Sequence, residues 1–296
     1  MTQDKTIVIG ALARDCADSI LRNKNRIEEL RKHFVRSYVV IVENDSKDNT
    51  KQVLADYASE CNDVIILSKD YNGNFPFHYE GPSLKPDMSR MRIARMSFIR
   101  NILVDYIEKN IQSDYTMFLD IDVLDFNVAG IIDAINNAPE DWGALLANGR
   151  EQISFCGNVF PSCAQYDTYA TLFDDEDMSN IPLSCTKPLT KLFRGIKSDK
   201  MVQSQKYTHV HSAFGGIGIY RSDAIKGLRY SIYEPKEWQG HNISICEHIP
   251  FHNNLKGQCY IAQDIQVTYH IDSIFNSHND LKRKALILFL IIKHYL

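Results

Sequence analysis

The stretch Tyr115-Thr116-Met117-Phe118-Leu119-Asp120-Ile121-Asp122 decides the fold class of this 296-residue chain. Its apolar run reads as a strand buried on both faces of a parallel sheet. Two carboxylates one residue apart then end it. Open α/β sheets bind ligands at the C-terminal edges of their strands. Acids there supply the oxygen donors that hold Mg²⁺ or Mn²⁺ against substrate phosphates. Because the strand breaks into a loop at this point, the two side chains need not diverge as they would in a regular strand. Asp is also common at strand ends for turn reasons, so a bare turn stays open until the rest of the chain is weighed.

Upstream the pattern is regular. Lys5 to Ala13 is β-branched and apolar, a first buried strand. Asp18 to Phe34 carries Ile20, Leu21, Ile27, Leu30 and Phe34 at helical spacing. Tyr38 to Val42 predicts a second strand, Asp48 to Glu60 a second helix, and Val64 to Leu67 a third strand. This order implies a parallel, right-handed, doubly wound α/β sheet. Gly73, Pro76, Gly81, Pro82 and Pro86 make a loop between Ser68 and Asp87. Ser89 to Lys109 resumes as a helix with Ile93, Phe98, Ile102, Leu103, Tyr106 and Ile107 on its apolar face. Beyond the Asp pair, Val128 to Ala138 predicts a helix and Trp142 to Ala147 a short strand. From Gly149 onward strands and loops mix. The acidic run Asp174-Asp175-Glu176-Asp177 and the polar stretch from Lys197 to Lys206 are expected to be mobile.

Composition narrows the partners. A formal net charge of -4 argues against a nucleic acid held by bulk electrostatics, although a local basic cluster can still bind a diphosphate. Seven cysteines with no C-x-x-C pair form neither a disulfide framework nor a zinc knuckle, so reduced thiols and a cytoplasmic location are expected. Met1-Thr2-Gln3-Asp4-Lys5 runs into the first strand without the pattern of a signal peptide, so none is expected. Lys282-Arg283-Lys284 leads into an apolar run from Ala285 to Ile292, far short of the roughly 20 residues that span a membrane. That segment reads either as a helix packed on the core or as a basic-apolar foot at the inner face of a membrane.

The segment Glu43-Asn44-Asp45-Ser46-Lys47-Asp48-Asn49-Thr50 follows the second strand. An acid or amide there can accept from a ribose hydroxyl or a base edge, and turn-and-cap chemistry by Asp45, Ser46 and Asp48 reads the same residues structurally. Paired with Phe118-Leu119-Asp120-Ile121-Asp122, the segment resembles the nucleotide-sugar glycosyltransferases of the GT-A fold. Arg100-Asn101 matches the Arg-Asn pair that family often carries between the two. Arg92-Ile93-Ala94 through Arg100-Asn101, with Ala147-Asn148-Gly149-Arg150 and Tyr166-Asp167-Thr168, is similar more narrowly to a capsule-type mannosyltransferase-like branch. The chain departs from the common pattern at Glu43-Asn44-Asp45-Ser46 and at Ala11-Leu12-Ala13-Arg14, which lacks a Pro-x-Asn.

The resemblance implies a GT-A-like, mostly parallel sheet with a mixed second half. It further implies a nucleotide-sugar-binding half (1–125), an acceptor half of the same domain (126–280) and a C-terminal helix (281–296). A UDP- or GDP-sugar would be the donor and a glycan or lipid-linked oligosaccharide the acceptor, in polysaccharide biosynthesis. Mn²⁺ or Mg²⁺ would stabilise the departing diphosphate. Asp122 would ligate it directly, with Asp120 closer to the ribose or a metal-bound water, so that it belongs to both the metal and the donor site, and a late-strand His270 would complete the metal site. Donor contacts would come from Ala11, Arg14, Glu43, Asn44, Gly215, Gly216 and the helix arginines. Arg92 and Arg95 share a helix face, whereas Arg100 points elsewhere. Glu247, in Cys246-Glu247-His248-Ile249-Pro250-Phe251, would take the acceptor proton in an inverting enzyme or orient the acceptor in a retaining one.

Two other classes compete. Asp120-Ile121-Asp122-Val123 also fits the start of a haloacid-dehalogenase-like phosphatase with Asp120 as nucleophile, but several β-α units precede it here. A non-catalytic nucleotide-sugar-binding module would keep the fold without turnover.

Overall fold

The computed structural model describes residues 2–79, 88–155, 158–180, 188–233 and 243–273. The first half follows the predicted alternation: β1 (Thr6–Ala13), α1 (Ala17–Arg31), β2 (Arg36–Glu43), α2 (Thr50–Glu60), β3 (Val64–Ser68), α3 (Arg90–Asn110) and β4 (Tyr115–Asp120). The second half adds β5 (Asp125–Phe126), α4 (Val128–Asn136), β6 (Trp142–Phe155), β7 (Asn158–Gln165), α5 (Pro188–Gln203), β8 (Tyr207–Val210), β9 (Ile217–Arg221), α6 (His248–His252) and β10 (Gln258–Ser273). The described strands form one ten-stranded sheet in the order β3-β2-β1-β4-β9-β6-β10-β5, with β7 on β6 and β8 on β10.

Strands β3, β2, β1 and β4 are mutually parallel, and β9 then enters antiparallel between β4 and β6. β6 and β10 are parallel again. The sheet is therefore doubly wound and mostly parallel with a mixed second half, as the sequence predicts. Alternate residues feed two cores. Ile7, Ile9, Val39 and Ile41 pack with α1, α2 and α4, while Val8, Val40 and Phe118 pack with α3 and α6. Burial on both faces explains why these strands read as continuous apolar runs.

Three expectations change. The stretch expected to be mobile from Lys197 is helical as far as Gln203, within α5. Leu192, Gly195, Ser198 and Val202 are buried at spacings of three, three and four, an inward stripe hidden by its small and polar members. The acidic run is also tied down: Arg194 on α5 binds Glu176 and the carbonyls of Thr168 and Thr171. The strand from Trp142 is longer than predicted because Asn148-Gly149-Arg150 continues it. Residues 281–296 lie outside the described residues. Among those described, no helix is long and apolar enough to cross a membrane.

Candidate active site

A cavity of about 550 Å³ opens at the C-terminal edge of the parallel strands. Among the described residues, four acids (Asp120, Asp122, Asp167, Glu247) and four arginines (Arg14, Arg92, Arg95, Arg100) line it. No lysine lines it.

The Asp pair is positioned by the turn after β4. Ile121 and Val123 are buried, and the Asn23 amide on α1 donates to both their carbonyls, at 3.0 and 2.7 Å. With its neighbours anchored inward, Asp122 is left exposed at the cavity. Asp120 sits deeper. Its backbone N–H donates to the Gly216 carbonyl at 2.9 Å, and the Tyr269 hydroxyl donates to its Oδ2 at 2.9 Å. Withdrawal from water raises the Asp120 carboxyl to about 7; Arg100, 3.8 Å away, opposes the rise and Asp122 adds to it.

Arg100 turns into the site rather than away from it. Its Nε donates to Glu247 Oε1 at 3.1 Å, and its guanidinium lies over Phe214 and Tyr230. This nearly buried pair links α3 to the start of α6. Glu247 holds the N-cap position of α6 but its side chain makes no cap bond. The helix is seated instead by neutral His252, which bonds Ser212 and Tyr220 and whose charged form burial disfavours, lowering it to about 3. Arg92 and Arg95 also face the cavity. Arg95 lies over the Phe75 ring, and its buried Nε has no hydrogen-bond partner among the described residues.

The other candidates divide between the cavity and the structure behind it. Asn44 and Arg14 line the cavity. Glu43 does not: it is fully buried and accepts from the Ser46 N–H and the Ser68 hydroxyl. Asp45 accepts from the N–H groups of Tyr71 and Asn72, and Asp48 from those of Thr50 and Ala17, so both serve the turn and helix start. Ala11 is buried inside β1. Gly215 and Gly216 stand behind the wall at φ +63 and +94. A Cβ on Gly215 would lie 2.3 Å from the Ala147 carbonyl, so only glycine fits that approach. His270 lies in β10, within the described backbone.

Several wall residues escaped the sequence reading as site residues: Phe75, Tyr166, Asp167, Phe214 and Tyr269. Tyr166 and Asp167 stood in a quoted motif without a role. Tyr269 adjoins His270, and its ring lies 3.8 Å from that of Tyr166.

A divalent cation is chemically compatible with the Asp pair. A withdrawn carboxyl raised by its neighbour is relieved by a cation, and both groups offer hard oxygen donors. Among the described residues no group of three or more His, Cys, Asp or Glu side chains is arranged to hold a metal ion. Water and substrate phosphate commonly fill positions that side chains leave open, as is usual for Mg²⁺.

No protein-family model and no curated protein sequence matches the chain. Its fold is similar to that of a Pyrobaculum calidifontis mannosyltransferase, PcManGT, solved with GDP-Man and Mn²⁺ (TM-score 0.49, 11% identity, 97% of this chain and 63% of that one). It is similar also to S. aureus TarS 1-349 (TM-score 0.45, 14% identity, 96% and 69%). A third likeness is to glucosyl-3-phosphoglycerate synthase from Mycobacterium tuberculosis, solved with Mn²⁺, UDP and phosphoglyceric acid (TM-score 0.41, 10% identity, 95% and 73%).

Proposed function

We propose that the chain is a metal-dependent glycosyltransferase that moves a sugar from a UDP- or GDP-sugar to a glycan or lipid-linked acceptor in polysaccharide biosynthesis. The observation that carries this reading is the Asp120/Asp122 pair at the edge of β4, sharing one cavity with Arg14, Arg92 and Arg95. Arginine forks match phosphate oxygens, and the unpartnered Arg95 Nε is a donor in need of an anion. Asn44 lies where a nucleoside would be held. Among the described residues that line the cavity there is no lysine, which disfavours the phosphatase reading, whose acyl-phosphate chemistry uses one.

In this reading Asp122 and Asp120, with His270, would hold Mn²⁺ or Mg²⁺, which would supply Lewis-acid stabilisation of the charge that gathers on the leaving diphosphate. The arginines bind and neutralise the same phosphates. An acceptor hydroxyl forms its bond to the anomeric carbon as the bond to the diphosphate oxygen breaks. In an inverting reaction the acceptor proton goes to Glu247; in a retaining one Glu247 orients the acceptor. Arg100 holds one Glu247 oxygen and fixes the direction of the other.

The test is thermal-shift screening of nucleoside diphosphates and their sugars with and without Mn²⁺, followed by assay of nucleotide release. Specific ligands raise the midpoint in proportion to occupancy. A Mn²⁺-dependent shift with release of nucleoside diphosphate is expected. Release of inorganic phosphate would favour the phosphatase, and binding without release the non-catalytic module.

A further inference from the structure

Of the four acids in the cavity, Asp167 has no task in the reaction as described. Asp120 and Asp122 form the cation pair and Glu247 is bound to Arg100. Asp167 is half-buried and lines the cavity from the loop after β7. Among the described residues no cation lies within ion-pair distance of it.

The surrounding backbone is rigidly held. The Asp167 carboxylate accepts from the N–H of Ala170 at 3.4 Å, and the nearby Gly215 N–H favours its charged form. Its own carbonyl accepts from the Thr171 hydroxyl at 2.8 Å. The next carbonyl, that of Thr168, accepts from Arg194 Nε at 3.2 Å. Gly215 can present its N–H there because it has no Cβ to strike Ala147. A fixed side chain with spare lone pairs is a preorganised acceptor.

The charge of the site says what it accepts from. An unpaired carboxylate beside a diphosphate repels it, and like charges in a poorly solvated cleft cost more than in water. Asp167 must therefore face the uncharged part of the ligand. In a sugar nucleotide and its acceptor that part is the sugar, whose hydroxyls are good donors to a carboxylate. Tyr166, Tyr169 and Phe214 line the same wall, and aromatic surfaces suit the apolar faces of a pyranose.

Resting on the glycosyl-transfer reading, we infer that Asp167 binds a hydroxyl of a neutral substrate sugar and selects against a uronic acid or phosphorylated sugar at that position. The hydroxyl belongs either to the donor sugar or to the acceptor, and one variant separates these sources. Asp167→Asn keeps an oxygen for the backbone amides but presents an N–H₂ in place of the second acceptor. Free nucleoside diphosphate with Mn²⁺ is expected to bind Asp167→Asn as tightly as the parent. If the donor sugar supplies the hydroxyl, affinity for the nucleoside-diphosphate hexose falls about 10- to 100-fold, the range for hydrogen bonds to charged groups. If the acceptor supplies it, donor affinity holds and the acceptor KM rises by a similar factor. In either case Asp167→Asn discriminates less than the parent against the corresponding uronic acid. A variant that retains donor affinity, acceptor KM and kcat within about twofold overturns the inference while leaving glycosyl transfer intact. A parent that binds neither nucleoside diphosphate nor its sugar overturns both. If Asp167→Asn does not fold, monodeoxy donor and acceptor sugars decide with the parent alone. One hydroxyl must then matter by about tenfold or more, and indifference to all of them sinks the inference.

Discussion

Strand β1 pairs with β2 and with β4 in unbroken parallel register, and odd and even residues of the three enter opposite cores. In β6 and β10 the register shifts between Ala262 and Gln266 and again between Thr268 and Ile271. Those irregularities flank Tyr269, which reaches Asp120. Bulges re-aim side chains beside functional sites. The first half thus supplies a rigid edge, and the second half bends its strands and loops to bring Tyr166, Asp167, Tyr269 and Glu247 over it. The only ion pair across the cavity between these halves is Arg100 with Glu247, among the described residues.

Breaking that pair tests the comparison hardest. Arg100→Ala leaves the buried Glu247 carboxylate without its cation, which costs about 3–5 kcal/mol for a buried pair. Denaturant unfolding should show this loss, and Arg100→Ala with Glu247→Ala together should cost less than the sum of the two. Additive losses would mean that the halves are held together by other contacts.

Asp122→Ala probes the edge without the bridge. The side chain is exposed and has no hydrogen bond or ion pair among the described residues, so the fold should persist, and relief of repulsion with Asp120 should leave the melting temperature equal or higher. Transfer should fall on the order of 10²–10³-fold, the scale for losing one preorganised electrostatic contact in an active site. Transfer at the parent rate would remove the Asp pair from the reaction.

The same contrast explains what the chain discloses before folding. The Ile7–Ile9 run and its partners are legible because burial on both faces demands apolar residues throughout. The Asp pair is legible because a strand edge marks the ligand side of such a sheet. Glu43 is misleading by the same rule: it stands at a strand edge yet turns inward to Ser46 and Ser68. Arg100 is placed on the wrong face by helix spacing from Arg92 and Arg95, because a long side chain can bend toward Glu247 beyond what its Cβ direction suggests. Asp167 and Tyr269 are not legible, since their positions depend on pairings with β6 and on Gly215, all distant in sequence.

Gly215→Ala sharpens the comparison at the second-half wall. A Cβ there meets both a positive φ and the Ala147 carbonyl at 2.3 Å. Gly227 has φ +79 with nothing within 4 Å of its Cβ, so Gly227→Ala carries only the backbone term, about 1–2 kcal/mol. Gly215→Ala should exceed it, with parallel loss of sugar-nucleotide affinity as the Asp167 support shifts. Equal losses at the two glycines would show that the wall yields freely around Gly215.

The last effect lies at the junction itself, in the metal-free protein. The Asp120 carboxyl titrates at about 7 when folded and near 3.8 when unfolded, so between those values the folded state holds more protons. Stability contributed by this group is therefore lost as pH rises from about 4 to 7 and stays lost above it. Asp120→Asn cannot ionise and still offers an oxygen to the Tyr269 hydroxyl. In the presence of a chelator, the variant's advantage in melting temperature over the parent should be negligible near pH 4, grow through pH 7 and then level off. An advantage that instead shrinks with rising pH would mean that Arg100, rather than desolvation, governs this carboxylate, and that the first-half edge is already neutralised from across the cavity.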